Sequence, residues 1–112
     1  MEKTIIDCLF KPEYAGGITE IAKVIYKIKD KIDCTKILQY AKRFDSQAVI
    51  KRLGFLFELL EIKHSTIDEL QKLRTNSTIS LEPSYPKEGK IINRWSIQQN
   101  IDTESILSPI YS

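Results

Sequence analysis

Between Asp45 and Ile62 the chain reads DSQAVIKRLGFLFELLEI, and this stretch restricts the possible folds more than any other. On a helix of 3.6 residues per turn, Val49, Ile50, Leu53, Phe55, Leu56, Phe57, Leu59, Leu60 and Ile62 cover most of the circumference. Gln47, Lys51, Glu58 and Glu61 recur near helical spacing as a narrow polar strip, with Arg52 at its shoulder. A helix this apolar needs neighbours on several sides, so it is expected at the centre of a bundle. Asp45 or Ser46 can supply the oxygen that caps its first turn. Gly54 costs about 1 kcal/mol relative to alanine in a helix interior. It is therefore either merely tolerated or admits another backbone at close range.

One domain fits around that helix, because 112 residues of which 42% are hydrophobic fill a single core. No apolar run approaches the roughly 18 to 20 residues that span a bilayer. The opening MEKTIIDCLFK carries charges at helical spacing rather than a signal peptide's apolar segment. A soluble, cytoplasmic protein without a membrane partner is expected. Cys8 and Cys34 are too far apart for a CxxC pair and too few for a zinc site, and His64 has no ligand neighbour in sequence. Buried free thiols are expected, with no metal and no cofactor.

In chain order, a first helix is expected over Lys3 to Phe10, with Ile5, Ile6 and Leu9 inward and Pro12 as its stop. PEYAGG then makes a sharp turn with Gly16 or Gly17 at positive φ and Tyr14 anchored on the core. Ile18, Ile21, Ile25, Ile28 and Ile32 form the stripe of a second helix, Ile18 to Lys31. Asp33 is placed to cap a third, Cys34 to Phe44, whose inner face is Cys34, Ile37, Leu38, Ala41 and Phe44. Beyond the central helix, Ser65 can cap a short helix from Thr66 to Leu73. The period then changes. Thr78 to Leu81 and Ile91 to Ile97 read as two strands joined by EPSYPKEG, with Trp95 and Ile97 on the bundle and Arg94 and Ser96 towards water. The expected fold is α+β: a mainly helical bundle of about five helices with a small antiparallel β-hairpin near the C-terminus. Residues 1–100 form the domain. Residues 101–112 form a tail in which Ile106, Leu107 and Ile110 leave open a loose or a docking segment.

The net charge of +2 conceals an uneven distribution. Residues 23–52 hold nine Lys or Arg against three acids, a local +6, while each flank is −2. Lys23, Lys27 and Lys31 stand four apart, away from the isoleucine stripe, with Lys29 nearby and only Glu20 and Asp30 to offset them. Together with Lys36, Lys42, Arg43, Lys51 and Arg52 they are the candidate nucleic-acid-binding residues. Contacts of this kind bind phosphates, position a protein without specifying sequence, and weaken with salt. Base reading by a helix-turn-helix needs a polar recognition face, and the central helix offers only Lys51 and Arg52. No phosphate-cradling glycine loop or nucleophile signature is present, and the carboxylates are scattered, so no catalytic residue is assigned and an enzyme is not expected. The alternative to nucleic acid is a protein-interaction module that binds a toxin or another subunit through the hairpin, the PSYP loop or the tail.

KTIIDCL followed by PEYAGGI, LQYA, AVIKRLGFLFE and finally an LEP…G…NRW….N pattern, from about Lys3 to Asn100, resembles the C-terminal domain of the AbiEi family of abortive-infection antitoxins. The order and spacing of these pieces carry the resemblance rather than any one of them. It implies a bacterial protein paired with a nucleotidyltransferase-like toxin in a type IV toxin–antitoxin system. Such proteins repress their own operon through an N-terminal winged helix-turn-helix, and their C-terminal domain serves toxin neutralisation and supports DNA binding through a basic surface. This chain opens about where that domain opens, leaving no room for the winged helix, so sequence-specific DNA reading is not carried over. The resemblance transfers scaffold positions only: Asp7, Pro12, Tyr14, Gly16, Gly17, Tyr40, Arg52, Leu53, Gly54, Leu81, Pro83, Gly89, Trp95 and Asn100. Among charged residues that the scaffold does not readily explain, Asp7 and Arg52 suggest an internal ion pair.

Overall fold

A computed structural model describes residues 1–62 and 64–111. The apolar helix, α4 (Gln47–Leu59), is buried at every position from Val49 through Phe57. Ser46, in extended backbone, accepts from the Val49 amide at 3.4 Å and is the cap of α4. Asp45 instead adopts φ 55 and closes the preceding helix. At the other end Glu61, φ 59, turns the chain away, so the helix stops at Leu59 rather than Ile62.

Around α4 pack α1 (Glu2–Phe10) and α5 (Thr66–Leu73), with α3 (Cys34–Phe44) against α1, α4 and α5, and α2 (Ile18–Ile28) on the outer side of α1. The periodic residues Ile5, Ile6, Leu9, Ile18, Ile21, Ile25, Ile37 and Ala41 are all buried. Asp33 caps α3 by accepting from the Lys36 amide at 3.0 Å. Ser65 makes no such bond. The first amide of α5, Thr66 N–H, donates to His64 Nδ1 at 3.1 Å instead. The second helix is one turn shorter than its isoleucine stripe suggests. Tight bonds from Lys29 N to Tyr26 O (3.4 Å) and from Lys31 N to Ile28 O (2.8 Å) wind it up at Ile28.

The β structure differs from a two-strand hairpin. β1 (Ile79–Ser80), β2 (Lys90–Ile92) and β3 (Ile97–Gln99) form a three-stranded mixed sheet in the order β1-β3-β2. β2 and β3 pair antiparallel with Ile92 opposite Ile97, whereas β1 runs parallel to β3 with Ile79 opposite Ile97. The expected strand Ile91 to Ile97 is therefore two strands and a turn. Trp95 N bonds to Ile92 O at 3.1 Å, and Ser96 takes φ 51. Without Gly or Pro in NRWS, alternation hid the reversal, and Ser96 is buried rather than turned to water.

Trp95 does cover the bundle. It is 1% exposed and its six-membered ring lies against α4 at Gly54, where any Cβ would collide with it. Gly54 thus makes room for a side chain, not a backbone. The Trp95 Nε1–H donates to the Glu58 carboxylate, whose oxygens also accept from the exposed Arg94 Nε at 2.7 Å. Residues 101–111 contribute a further helix, α6 (Thr103–Tyr111), laid against α2 with Ile101 and Ile106 buried and Tyr111 edge-on to Tyr26 at 5.6 Å. The segment is thus a helix packed on its own domain.

Candidate nucleic-acid interface

The α2 lysines are held by a helix whose start is pinned from across the fold. Glu82, 3% exposed, accepts from the Ile18 amide at 2.7 Å and places a carboxylate at the positive end of α2. Ser84 Oγ donates to the same carboxylate at 2.9 Å, and the Asn100 side chain pairs with the Glu82 backbone at 2.9 and 2.8 Å. Gly17, φ 92, leaves the space that this carboxylate needs. Sequence pattern does not find Glu82, because a cap supplied from sixty-four residues away has no local spacing.

Opposite the buried isoleucines, Lys23 and Lys27 are exposed on α2, and Lys31 is exposed in the turn that follows. Lys23 has a loose ion pair with Glu20 at 3.5 Å, and Lys29 lies 4.4 Å from the Tyr26 ring. Among the described residues Lys27, Lys31, Lys36, Lys42 and Arg43 form no ion pair. Lys23, Lys27 and Lys29 line an open groove of about 570 Å³ between α2 and α6, together with Val24, Glu20 and Asp30. The net lining is weakly positive.

Lys36 stands in the first turn of α3. Asp33 N donates to Glu2 Oε2 at 3.1 Å, which holds the Glu2 carboxyl below its usual range, and the charge of Lys36 lowers it further. Lys42 and Arg43 lie roughly 9 to 10 Å further along α3, at 1.5 Å per residue. Arg43 borders a different groove, of about 460 Å³, between α1 and α3. Lys23, Lys27 and Lys29 thus share the α2–α6 groove, whereas Arg43 borders the α1–α3 groove.

Lys51 and Arg52 leave the expected set, because α4 buries them with everything else. Lys51 is 0% exposed. Its ammonium donates to Thr75 Oγ1 and Ser77 Oγ, each at 3.3 Å, and to the Ser77 backbone oxygen. Burial pushes the Lys51 pKa down, and the nearby Arg74 charge adds to this. Arg52 donates through Nη1 to Leu9 O (2.9 Å) and Phe10 O (3.4 Å), and through Nε and Nη2 to Ser80 O (3.2 and 2.9 Å). Burial lowers its pKa while Glu13 and Glu82 counteract, and a guanidinium stays charged through such a shift. Both cations are internal ties. Arg52 satisfies the last carbonyls of α1 at the negative end of that helix and joins it to β1. The expected Asp7–Arg52 ion pair is not formed. Backbone oxygens take its place.

Tyr14, expected on the core, is 82% exposed, since Pro12 rather than Tyr14 is the buried residue of its 3₁₀ turn. Among the described residues no group of three or more His, Cys, Asp or Glu is gathered to hold a metal ion, and no helix is long and apolar enough to cross a membrane. Compared with family models, with curated proteins and with solved structures, the chain matches none.

Proposed function

We propose that this chain is a non-enzymatic antitoxin and regulatory domain of a bacterial type IV toxin–antitoxin system, of the AbiEi kind, working in the cytoplasm in abortive infection. Its functional partner is a nucleotidyltransferase-like toxin. Its basic helical surface contacts the phosphates of operator DNA or of nucleic acid that the toxin engages. The ordered pieces from KTIIDCL to the NRW….N pattern support the family. The observation that carries the mechanism is the exposed row Lys23, Lys27 and Lys31, in which, among the described residues, only Lys23 has an ion pair, a loose one with Glu20.

With Lys51 and Arg52 internal, α2 and its following turn are the place to test. Replacing Lys23, Lys27 and Lys31 together by glutamate is expected to weaken binding to duplex DNA by more than tenfold. The slope of log affinity against log salt should fall by about two to three, at roughly 0.9 for each phosphate that is no longer neutralised. Thermal unfolding should change little, because all three side chains are exposed. Affinity indifferent to both salt and charge reversal would rule the mechanism out.

One observation favours a purely protein-binding module. Ile91 on β2 and Tyr85 in the segment before it are 44% and 49% exposed, although Ile106, on the inner face of α6, is fully buried and offers no surface. A toxin that co-purifies with the glutamate variant as well as with the wild type would select this reading.

A further inference from the structure

Three aromatic rings stand in solvent around the C-terminal ends of α1 and α3. Phe10 closes α1 and Phe44 closes α3, 42% and 37% exposed, with ring centroids 4.9 Å apart. Tyr14 follows on the 3₁₀ turn Pro12–Ala15. The Lys11 ammonium lies 6.0 Å from the Phe10 ring centroid and 5.8 Å from that of Tyr14, so one cation serves both rings. Alongside, the Arg43 guanidinium lies 6.0 Å from the Tyr40 ring, and Arg43, Tyr40 and Phe44 share the α1–α3 groove with Lys3 and Asp7. Single exposed aromatics are ordinary, but a cluster with cations seated on it is a recognition surface.

The cluster is held in place rather than loosely draped. Arg52 ties the Phe10 carbonyl from inside the fold, Gly17 N closes the 3₁₀ turn on Pro12 O at 2.8 Å, and Asp45 N ends α3 on Ala41 O at 3.1 Å. Little ordering remains to be done when a ligand arrives, which favours binding.

We propose that this platform binds single-stranded nucleic acid, stacking unpaired bases on Phe10, Tyr14 and Phe44 while Lys11 and Arg43 meet the backbone phosphates. Aromatic rings interleaved with cations fit a ligand that alternates flat π faces with negative charge, whatever its sequence. A duplex keeps its base faces stacked on one another and cannot use the rings. Asp7 lies in the same groove as Arg43 and offsets part of its charge. The inference rests on the reading that this domain acts on nucleic acid, but it uses a different surface from the α2 lysines.

Fluorescence anisotropy of a labelled oligothymidine strand, and of a duplex of equal length, tests it on the full chain. Tyr14→Ala, at a position too exposed to matter for folding, and Phe44→Ala should each weaken strand binding on the order of tenfold or more. Both should leave duplex binding unchanged, and Tyr14→Phe should keep wild-type affinity. Strand binding that survives Tyr14→Ala and Phe44→Ala but is lost on reversing Lys23, Lys27 and Lys31 would overturn the platform and leave the α2 mechanism standing. Strand binding lost in the aromatic variants, with duplex binding indifferent to those lysines, would do the opposite. No strand binding by the wild type overturns the proposal outright.

Discussion

Replacing Trp95 by alanine is expected to destabilise the protein by about 3–5 kcal/mol, the cost typical of emptying a buried tryptophan site. The residue is 1% exposed, spans the joint between the sheet and α4, and gives its indole N–H to Glu58. Gly54→Ala attacks the same joint from the other side. A methyl group there meets the indole ring, so the variant should lose about 1–3 kcal/mol although alanine is the better helix former. The two substitutions should not add. Once Trp95 is alanine, Gly54→Ala has room for its methyl group and gains helix propensity, so its effect should become neutral or stabilising, by up to about 1 kcal/mol. Urea unfolding of the four proteins measures this. If Gly54→Ala costs the same in both backgrounds, the close approach of Trp95 is not what keeps position 54 a glycine.

Arg52→Met should be comparably damaging, at about 3–5 kcal/mol, because it strips donors from the carbonyls of Leu9, Phe10 and Ser80, each worth roughly 1–3 kcal/mol when orphaned in the interior. Arg52→Lys keeps the charge but replaces a planar fork with one compact ammonium, which cannot reach both the end of α1 and β1. It should recover less than half of the loss. Chemical denaturation with the single Trp95 as fluorescence probe reports both variants. A methionine variant as stable as the wild type would mean that these carbonyls are not tied by Arg52.

The helices were legible because each depends on spacing within a dozen residues. Isoleucines at steps of three and four placed α2, the Asp33 cap placed the start of α3, and the breadth of the apolar surface from Val49 to Leu60 placed α4 at the centre. That same breadth could have warned that Lys51 and Arg52 go inside, since a helix enclosed all round has no dry and wet sides. Counting their charges towards a surface row treated them as residues of a half-exposed helix. The sheet was less legible. Its parallel pairing of β1 with β3 joins Ile79 to Ile97, and the reversal at Asn93–Ser96 brings Trp95 onto Gly54 forty-one residues away, neither of which period-two alternation can register. Tyr14 and Phe44 fail for a related reason. Aromatic residues are usually inward, and only the assembled ends of α1 and α3 reveal which rings the core has no space for.

Lysine footprinting by acetylation, read residue by residue by mass spectrometry with and without duplex DNA, tests the division of the basic segment into an outer row and inner ties. Lys23, Lys27 and Lys31 should react quickly in the free protein and become protected when DNA is bound. Lys51, enclosed by Thr75 and Ser77, should stay unmodified until the protein is unfolded. Rapid labelling of Lys51 in the native state, or DNA that protects none of the α2 lysines, would contradict it.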